Sequence, residues 1–132
     1  MTLDYRFGKA ISPDDLLPLF AQTDWTDKRT PETIRAMLDN TSIILTVREG
    51  DRVIGFARVV TDDLLRAFIE DVIVDEAYRR QGIGAEIMRL LMERLAHVEE
   101  VILACEDHLL PFYGRFGFER FTMAHMHIWR GG

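Results

Sequence analysis

The chain has 132 residues, of which 48% are hydrophobic and 29% charged, as is typical of one soluble globular domain over residues 1–132. The net charge of −6 argues against the basic surface that general binding to nucleic acid requires. No apolar run approaches the roughly 18 residues of a membrane span, and the charged stretch MTLDYRFGK predicts no signal peptide. The one cysteine, Cys105, cannot form an internal disulfide, which favours a reducing cytoplasm.

Helix signals and then strand signals occupy the first half of the chain. The stretch LDYRFGKA is compatible with an initial strand. Ser12–Asp15 and Thr30–Thr33 each place a capping hydroxyl before a proline and an acid, which predicts two helix starts. SIILTV and RVIGFARVV are rich in β-branched residues and are joined by REGD, where Gly50 can adopt a positive φ. This pattern predicts a β-hairpin.

The second half predicts a strand, a long helix and another strand. AFIEDVIV, residues 67–74, is almost continuously apolar, as expected for a strand covered on both faces. A helix is predicted from about Gly82 to His97, followed by the strand VILAC, a short helix in HLLPFYGRF and a closing strand in FERFTMAHMHIW. The strand–helix–strand order implies a parallel pair, whereas the hairpin is antiparallel. The prediction is therefore a mixed α/β sheet.

The stretch YRRQGIGAEIM, residues 78–88, has the character of an anion site. A helix start offers free N–H groups and partial positive charge, and glycines let a phosphate approach the backbone. No lysine follows the glycines, which excludes the NTPase loop, and the third glycine of the dinucleotide fingerprint is missing. The pattern R-x-x-G-x-G remains, over residues 79–84. The alternative is two surface arginines beside a glycine that opens a helix.

Two segments resemble one family. VIVDEAYRRQGIG, residues 72–84, resembles the coenzyme A-binding motif of the GNAT acyltransferase superfamily, and CEDHLLPFYGRFGFE, residues 105–119, is similar to the corresponding part of arylalkylamine N-acetyltransferases. The resemblance covers about residues 52–118. It implies an α/β (α+β) fold with a GNAT-like mixed, largely antiparallel central sheet, a splayed parallel pair of strands and helices on both faces. It also implies an N-acetyltransferase that moves an acetyl group directly from acetyl-CoA to a primary amine.

The resemblance implies that the co-substrate acetyl-CoA is held in two places. Its pantetheine arm would pair with the segment Val72, Ile73 and Val74, where a backbone N–H of Val72 or Ile73 would polarise the thioester carbonyl. Phe112 would also contact coenzyme A. The residues expected around its pyrophosphate are Arg79, Arg80, Gln81, Gly82, Ile83, Gly84 and Ala85.

Two acidic residues stand in the middle of the strongest predicted strand, Glu70 and Asp71. Side chains alternate along a strand, which predicts one carboxylate on each face. A buried carboxylate without a partner is very costly, so at least one should face a polar cleft or a cation such as Arg58 or Arg66. The histidines of the arylalkylamine enzymes align with Phe68 and Glu70. The resemblance therefore favours Glu70 as general base, with Asp71 in reserve, and the departure from histidine leaves the substrate and pH profile open.

The resemblance implies that Tyr113 lies beside the coenzyme A sulfur as the general acid. Proton transfer from a phenol, with a pKa near 10, to a thiolate, with a thiol pKa near 8.5, is slightly uphill in solution and manageable in a tuned site. A packed aromatic ring beside Phe112 and Phe116 is the structural alternative. Cys105 is interpreted as a small apolar residue, because direct transfer needs no nucleophilic cysteine.

The histidines at 125 and 127 share one face of the predicted last strand, but a metal site needs more ligands, so no metal is predicted.

The loops should recognise the acceptor. Asp24 and Trp25 in the first joint, together with Asp62 and Asp63 in the second, could receive a cationic or aromatic amine, or could simply face solvent. The expected partner is a small-molecule or peptide amine, and the resemblance suggests a homodimer. A non-catalytic acyl-CoA-binding sensor is the main alternative function, and a nucleotide-binding half-domain is disfavoured by the missing third glycine.

Overall fold

A computed structural model describes residues 2–131. It contains one five-stranded sheet whose strands lie side by side in chain order. The strands are β1 (Asp4–Phe7), β2 (Ile43–Glu49), β3 (Arg52–Thr61), β4 (Arg66–Val74) and β5 (Glu100–Leu103). The first four are antiparallel, and β5 runs parallel to β4. The predicted hairpin is β2–β3, and the initial strand is β1, so both predictions are confirmed.

Helices cover both faces of the sheet. They are α1 (Pro13–Phe20), α2 (Pro31–Asn40), α3 (Ile83–Arg94) and α4 (Leu110–Gly114), with 3₁₀ turns at Glu76–Tyr78 and Asp107–Leu109. The predicted caps are confirmed, because the hydroxyls of Ser12 and Thr30 accept hydrogen bonds from the backbone N–H groups of Asp14 and Thr33. Within residues 2–131, no helix has the length and apolar character needed to cross a membrane.

Two apolar cores separate these layers. On one face, α1 and α2 pack against the sheet through a cluster that includes Phe20, Leu38, Phe56 and Ile73. On the other face, α3 packs against the sheet through a second cluster that includes Ile69. Burial of apolar area on both faces is the main favourable contribution to folding of such a sheet, at about 25 cal/mol per Å². The β4 sequence is almost continuously apolar because both of its faces are covered.

The middle of β4 contains a β-bulge. Arg58 of β3 pairs with Glu70, and Phe56 pairs with Ile73, so Asp71 and its neighbour at 72 stand against a single residue of β3. Asp71 has φ +54°, in the left-handed region. The bulge reverses the alternation of faces, since Ile69 belongs to the core under α3 and Ile73 to the core under α1 and α2.

The bulge overturns the prediction that the two acidic side chains of β4 point to opposite faces. The carboxylate of Asp71 contacts Arg29 and Arg58, and Arg58 is also the cross-strand partner of Glu70. Period-two alternation holds only while the ladder is regular, and the inserted residue breaks it.

The parallel pair β4–β5 separates part-way along β4. The ladder runs from Arg66 opposite Glu100 to Ile69 opposite Leu103 and then ends. Beyond Leu103 the chain turns away into the 3₁₀ turn and α4, so the rest of β4 has no neighbour on that side. The two strands thus open like a V, as the resemblance implied.

The predicted closing strand is wrong. From Phe118 onward the described chain is irregular, and apolar side chains in it are exposed, Met126 to 88%. An alternating pattern describes side chains, but a strand exists only through backbone hydrogen bonds to a partner, and none is formed within residues 118–131. The histidines at 125 and 127 therefore do not share a strand face. Helix α3 also ends earlier than predicted, at Arg94 rather than His97.

Candidate active site

A pocket of about 380 Å³ lies where β4 and β5 separate. Its wall combines β4, the end of β5 and the segment after it, the 3₁₀ turn before α4, Tyr113 of α4 and the loop between α1 and α2. The residues that line it are Trp25, Ile69, Glu70, Asp71, Val72, Leu103, Ala104, Cys105, Glu106, Leu109 and Tyr113. The pocket therefore brings together five of the residues that the sequence singled out: Trp25, Glu70, Asp71, Val72 and Tyr113. Within the described chain, no lysine, arginine or histidine lines it.

Glu70 is half-buried in this wall. Burial raises the pKa of its carboxyl, and the nearby charge of Asp71 raises it further, while the charges of Arg58 and Arg29 act in the opposite direction. Among the described residues, its carboxylate makes no hydrogen bond or ion pair within contact distance. A carboxylate with a raised pKa and free oxygens in a pocket is suited to accept a proton.

Asp71 differs sharply from its neighbour, because its carboxylate is held by two guanidinium groups. Arg29 donates from Nη1 to Oδ2 at 2.7 Å and from Nη2 to Oδ1 at 3.2 Å, and Arg58 donates from Nε to Oδ2 at 2.6 Å. Burial acts to raise the pKa of Asp71, but these hydrogen bonds and charges outweigh it, so the pKa is lowered. Asp71 therefore remains ionised and its oxygens are already engaged.

Tyr113 reaches the pocket from α4 and is partly buried. Its ring packs edge-to-face on Phe112 and Phe118, at centroid distances of 5.0 and 6.2 Å. Burial raises the pKa of the Tyr113 phenol, so the group keeps its proton at neutral pH. Phe112 extends in turn toward the start of α3, where a Cβ built at Gly84 would lie 3.6 Å from its ring.

The segment between β4 and α3 forms a fixed loop. Asp75 is buried, accepts a hydrogen bond from the backbone N–H of Ala77 and is paired with Arg52 at 3.0 Å. Tyr78 donates its hydroxyl proton to Glu49 at 2.6 Å. These contacts hold the loop immediately before the predicted anion-binding residues.

The anion-binding stretch itself has the open geometry that a phosphate requires. Gly82 stands at the N-cap of α3 with φ +80°, and nothing lies within 4 Å of where its Cβ would be. As the first residues of α3, Ile83, Gly84 and Ala85 carry N–H groups without an intrahelical acceptor. Arg80, at φ +65°, and its neighbours at 79 and 81 are exposed. In the described part of the chain, neither arginine of this stretch is paired with a carboxylate within contact distance.

Other predicted residues lie elsewhere. Asp24 is exposed and does not line the pocket, although Trp25 beside it does. Asp62 caps the turn before β4, accepting backbone hydrogen bonds at 2.9 to 3.2 Å, and Asp63 pairs with Arg94. Asp62 and Asp63 therefore have structural partners near the start of β4, and neither lines the pocket.

Two polar residues near the pocket were not predicted from the sequence. Glu106 lines the pocket, and Arg29 binds Asp71. Neither belongs to a motif, and the only signal for Arg29 was a basic residue in a polar joint. Burial raises the pKa of the Cys105 thiol, which disfavours a thiolate there. Among the described residues no group of three or more potential metal ligands comes together.

Comparison with known proteins agrees with this geometry. Residues 11–118 match the Acetyltransferase (GNAT) family. The chain is 29% identical over 116 residues to an uncharacterized N-acetyltransferase ycf52 of Porphyra purpurea, covering 83% of this chain and 66% of that protein. It is also 29% identical over 128 residues to histone acetyltransferase TAP1 of Glycine max, covering 87% and 55%. The chain thus spans about two thirds of the first of these relatives and about half of the second.

A solved structure extends the match to the whole fold. The GNAT-family acetyltransferase SP0256 of Streptococcus pneumoniae TIGR4 superimposes with a TM-score of 0.83 at 28% identity, covering 98% of each chain. The named relatives do not show the finer likeness to arylalkylamine enzymes. The matched region includes β4, the glycine loop, α3, β5 and α4, and of these β4, β5 and α4 supply residues to the pocket wall. The chain belongs to the GNAT acetyltransferase family.

Proposed function

We propose that this protein is an N-acetyltransferase that moves the acetyl group of acetyl-CoA to a primary amine in the pocket between β4 and β5. The observation that carries the proposal is the meeting of Glu70 and Tyr113 in one pocket, one with a raised pKa and free oxygens and the other a protonated phenol. A binding module would need neither group in these states.

The loop before α3 fits the donor's pyrophosphate. Gly82 leaves open space where any other residue would place a Cβ, and the first N–H groups of α3 are free to bind phosphate oxygens. Arg79 and Arg80 are exposed beside them and add positive charge in a chain of net charge −6. In this proposal Gln81 and the first turn of α3 complete the cradle.

The gap where β4 and β5 separate fits the donor's pantetheine arm. Val72 and the residues after it on β4 have no β5 neighbour, so the amides of the arm can pair there as an added strand. A backbone N–H of Val72 or Ile73 would then polarise the thioester carbonyl, and the bulge at this point is what turns the backbone there. Phe112, packed at Gly84, would close the site from the side of α4.

The transfer step is a direct attack. Glu70 accepts a proton from the amine nitrogen, and that nitrogen attacks the thioester carbonyl carbon, so a C–N bond forms. The tetrahedral intermediate then expels the coenzyme A thiolate as the C–S bond breaks. Tyr113 donates its phenol proton to that sulfur, and transfer of the proton held by Glu70 through solvent to the Tyr113 phenolate restores both groups. The products are the N-acetylated amine and free coenzyme A, and Cys105 takes no part.

The pocket also favours one class of acceptor. Its lining contains the acids Glu70 and Glu106 besides Asp71, whose carboxylate Arg29 and Arg58 already bind, and no basic side chain among the described residues lines it. A phosphate or carboxylate on the acceptor would find no partner there. Trp25 adds an aromatic face at the rim, 55% exposed, which suits a second cationic group or an aryl ring. We therefore propose a cationic or arylalkyl amine rather than an anionic amino sugar.

A thiol-release assay tests this function. Acetyl-CoA is incubated with spermidine, tryptamine, glucosamine 6-phosphate and a peptide with a free N-terminus, and free thiol and acetylated product are measured. Spermidine or tryptamine should be acetylated at least about tenfold faster than glucosamine 6-phosphate. Binding of acetyl-CoA without turnover of any amine would favour the acyl-CoA sensor instead.

We also propose that two copies associate. Within the described chain β5 pairs only with β4, and an exposed apolar segment that includes Phe121 and Met123 lies beside its open edge. Each copy has both an open strand edge and an exposed apolar segment. In a two-fold dimer the β5 edge of each copy would be covered by the apolar segment of the other. Light scattering should give twice the chain mass, and a monomer at all concentrations would refute the dimer.

A further inference from the structure

The ion pair between Arg29 and Asp71 joins two parts of the chain that are 42 residues apart. Arg29 comes from the loop between α1 and α2, and Asp71 is the bulge residue of β4. The Asp71 side chain is only 1% exposed and that of Arg29 22%, so water screens their attraction weakly. The two hydrogen bonds have the forked geometry that fixes both orientation and distance.

The loop between α1 and α2, which contains Arg29 near its end, also places Trp25 at the rim of the pocket. Its interior is tied together, because the Thr26 hydroxyl donates to the carbonyl of Phe20 at 2.7 Å and Thr26 is also bonded to the Thr23 hydroxyl. The Arg29 guanidinium lies 5.4 Å from the centre of the Phe20 ring. These contacts tie the loop together internally, so an attachment that holds it to β4 also helps to place Trp25.

Among the described residues, two side chains of the loop, Gln22 and Arg29, attach it to the region of β4. One is Gln22, whose Oε1 accepts the backbone N–H of Glu76 at 2.9 Å. The other is the charged pair between Arg29 and Asp71, in which the Asp71 carboxylate is buried and the Arg29 side chain is mostly buried. Asp71 lies directly beside Glu70, so this second attachment fixes the Trp25 loop to the part of β4 that bears the proposed base.

We propose that Asp71 is a positioning residue: by binding Arg29 it holds the Trp25 loop against the bulge of β4 and so sets the shape of the acceptor site. This inference rests on the proposed function for its effect on catalysis, but the loop's attachment can be tested without any acceptor. The bulge geometry is compatible with the role, because Asp and Asn both tolerate the left-handed φ found at 71.

That tolerance selects the variants. Asp71→Asn keeps a residue that tolerates the left-handed φ and removes the negative charge. Arg29→Gln removes both the positive charge and the two guanidinium hydrogen bonds to Asp71, whereas Arg29→Lys keeps the charge but not the paired hydrogen bonds. Arg89→Gln is the matched control, since Arg89 is exposed on α3 and, within residues 2–131, pairs only with the glutamates at 86 and 93 of the same helix.

Hydrogen–deuterium exchange tests the attachment directly. Backbone N–H groups within the loop are bonded, including Asp27 to the Thr23 carbonyl at 3.1 Å. At exchange times too short for global unfolding, peptides covering residues 21–30 of Asp71→Asn and Arg29→Gln should exchange about tenfold faster than in the wild type, while peptides covering 83–94 in α3 stay protected. In Arg29→Lys the exchange rate of peptides covering residues 21–30 should lie between those of the wild type and Arg29→Gln, and in Arg89→Gln it should equal the wild-type rate. Acceleration of both peptides equally, or of neither, would overturn the proposal.

Kinetics tests the consequence for the acceptor site. With tryptamine and spermidine as acceptor probes, Arg29→Gln should raise the acceptor KM about tenfold. The acetyl-CoA KM should stay within about twofold, because the proposed pyrophosphate site lies at the start of α3 and not in the loop that contains Arg29. A rise in both KM values together would contradict a role limited to the acceptor side. If the wild type acetylates neither probe, the proposed function fails for these amines, while the exchange result still decides the positioning role.

The charges around Glu70 supply an independent readout. Asp71 lies beside it on β4, Arg58 faces it from β3, Arg29 approaches from the loop, and Glu106 shares the pocket, which Cys105 and Tyr113 also line. Removing the negative charge in Asp71→Asn should move the acidic limb of the kcat/KM profile to lower pH, and removing the positive charge in Arg29→Gln should move it to higher pH. Shifts in the same direction would indicate general disruption instead.

Discussion

The Nε of Arg58 lies 2.6 Å from Oδ2 of Asp71, and this contact gives two adjacent acids different environments. It engages Asp71 fully, together with Arg29, and leaves Glu70 half-buried without a hydrogen-bond partner among the described residues. Neighbouring carboxyls whose pKa values are pushed apart are the usual basis for distinct acid and base roles. Here one is held ionised for structure and the other is able to take up a proton.

Glu70→Gln should lower kcat strongly and leave donor binding unchanged. A positioned general base contributes about 10² to 10⁴ in rate, so we expect a loss of at least about a hundredfold. The acetyl-CoA Kd, measured by calorimetry, should stay within about twofold. Glu93→Gln is the matched control, because Glu93 is exposed on α3 and should retain full activity. Wild-type kcat in Glu70→Gln would remove this residue from the mechanism.

The same substitution should stabilise the fold near neutral pH. The folded-state pKa of Glu70 is raised above its unfolded value of about 4.3, so ionisation in the folded protein carries a free-energy penalty. That penalty is absent below the unfolded pKa and fully present above the folded one. Glu70→Gln should therefore raise Tm at pH 7 and leave it unchanged at pH 4. A lower Tm at pH 7 would contradict the burial argument.

The ionised Asp71 carboxylate should stabilise the fold at neutral pH, in contrast to that of Glu70. Its folded-state pKa lies below the unfolded value of about 3.9, so its ion pairs contribute stability that is present above that pH and lost as pH falls through the folded value. Removing one partner of a buried pair costs about 3 kcal/mol or more. Asp71→Asn should thus lower Tm at pH 7, and the difference from wild type should shrink as the pH is lowered toward 3. A constant difference would argue against the ion pairs.

Tyr113→Phe should impair departure of the coenzyme A thiolate. The substitution keeps the ring contacts with Phe112 and Phe118 but removes the proton donor. We expect kcat to fall about a hundredfold with an unchanged acetyl-CoA Kd. Tyr5→Phe is the control, since Tyr5 lies on β1 and does not line the pocket. If both variants retain wild-type turnover, Tyr113 is only a packed aromatic.

Gly82→Ala separates backbone strain from donor binding. Gly82 and Gly50 have φ of +80° and +60°, and neither has an atom within 4 Å of where its Cβ would lie. Alanine at either position should cost roughly 1 to 2 kcal/mol of stability, because of the left-handed backbone. Only Gly82→Ala should also weaken acetyl-CoA binding, by about tenfold or more in Kd, because its Cβ would enter the proposed phosphate cradle. Equal Kd values for the two variants would place the pyrophosphate elsewhere.

Local patterns in the sequence predicted much of the fold. The caps at Ser12 and Thr30, the hairpin around Gly50 and the parallel pair that follows from a strand–helix–strand order all depend on short-range chemistry. The two segments that resemble the family also pointed to β4 and α4, which the structure brings to one pocket.

What the sequence could not predict depends on tertiary contacts. The bulge at Asp71 inserts a residue without any glycine or proline to signal it, and it reversed the expected faces of β4. The partner Arg29 is remote in sequence and belongs to no motif. The segment after Phe118 alternates like a strand, yet within the described chain no edge pairs with it.

The pH dependence of kcat/KM in wild type and Glu70→Gln tests the central claim most directly. Burial and the charge of Asp71 raise the pKa of Glu70, so the wild type should lose activity on its acidic limb with an apparent pKa above the ordinary glutamate value of about 4.3. In Glu70→Gln the residual rate should lack that limb. An acidic limb of the same apparent pKa in both proteins, at similar rates, would contradict Glu70 as the base that accepts the proton of the amine.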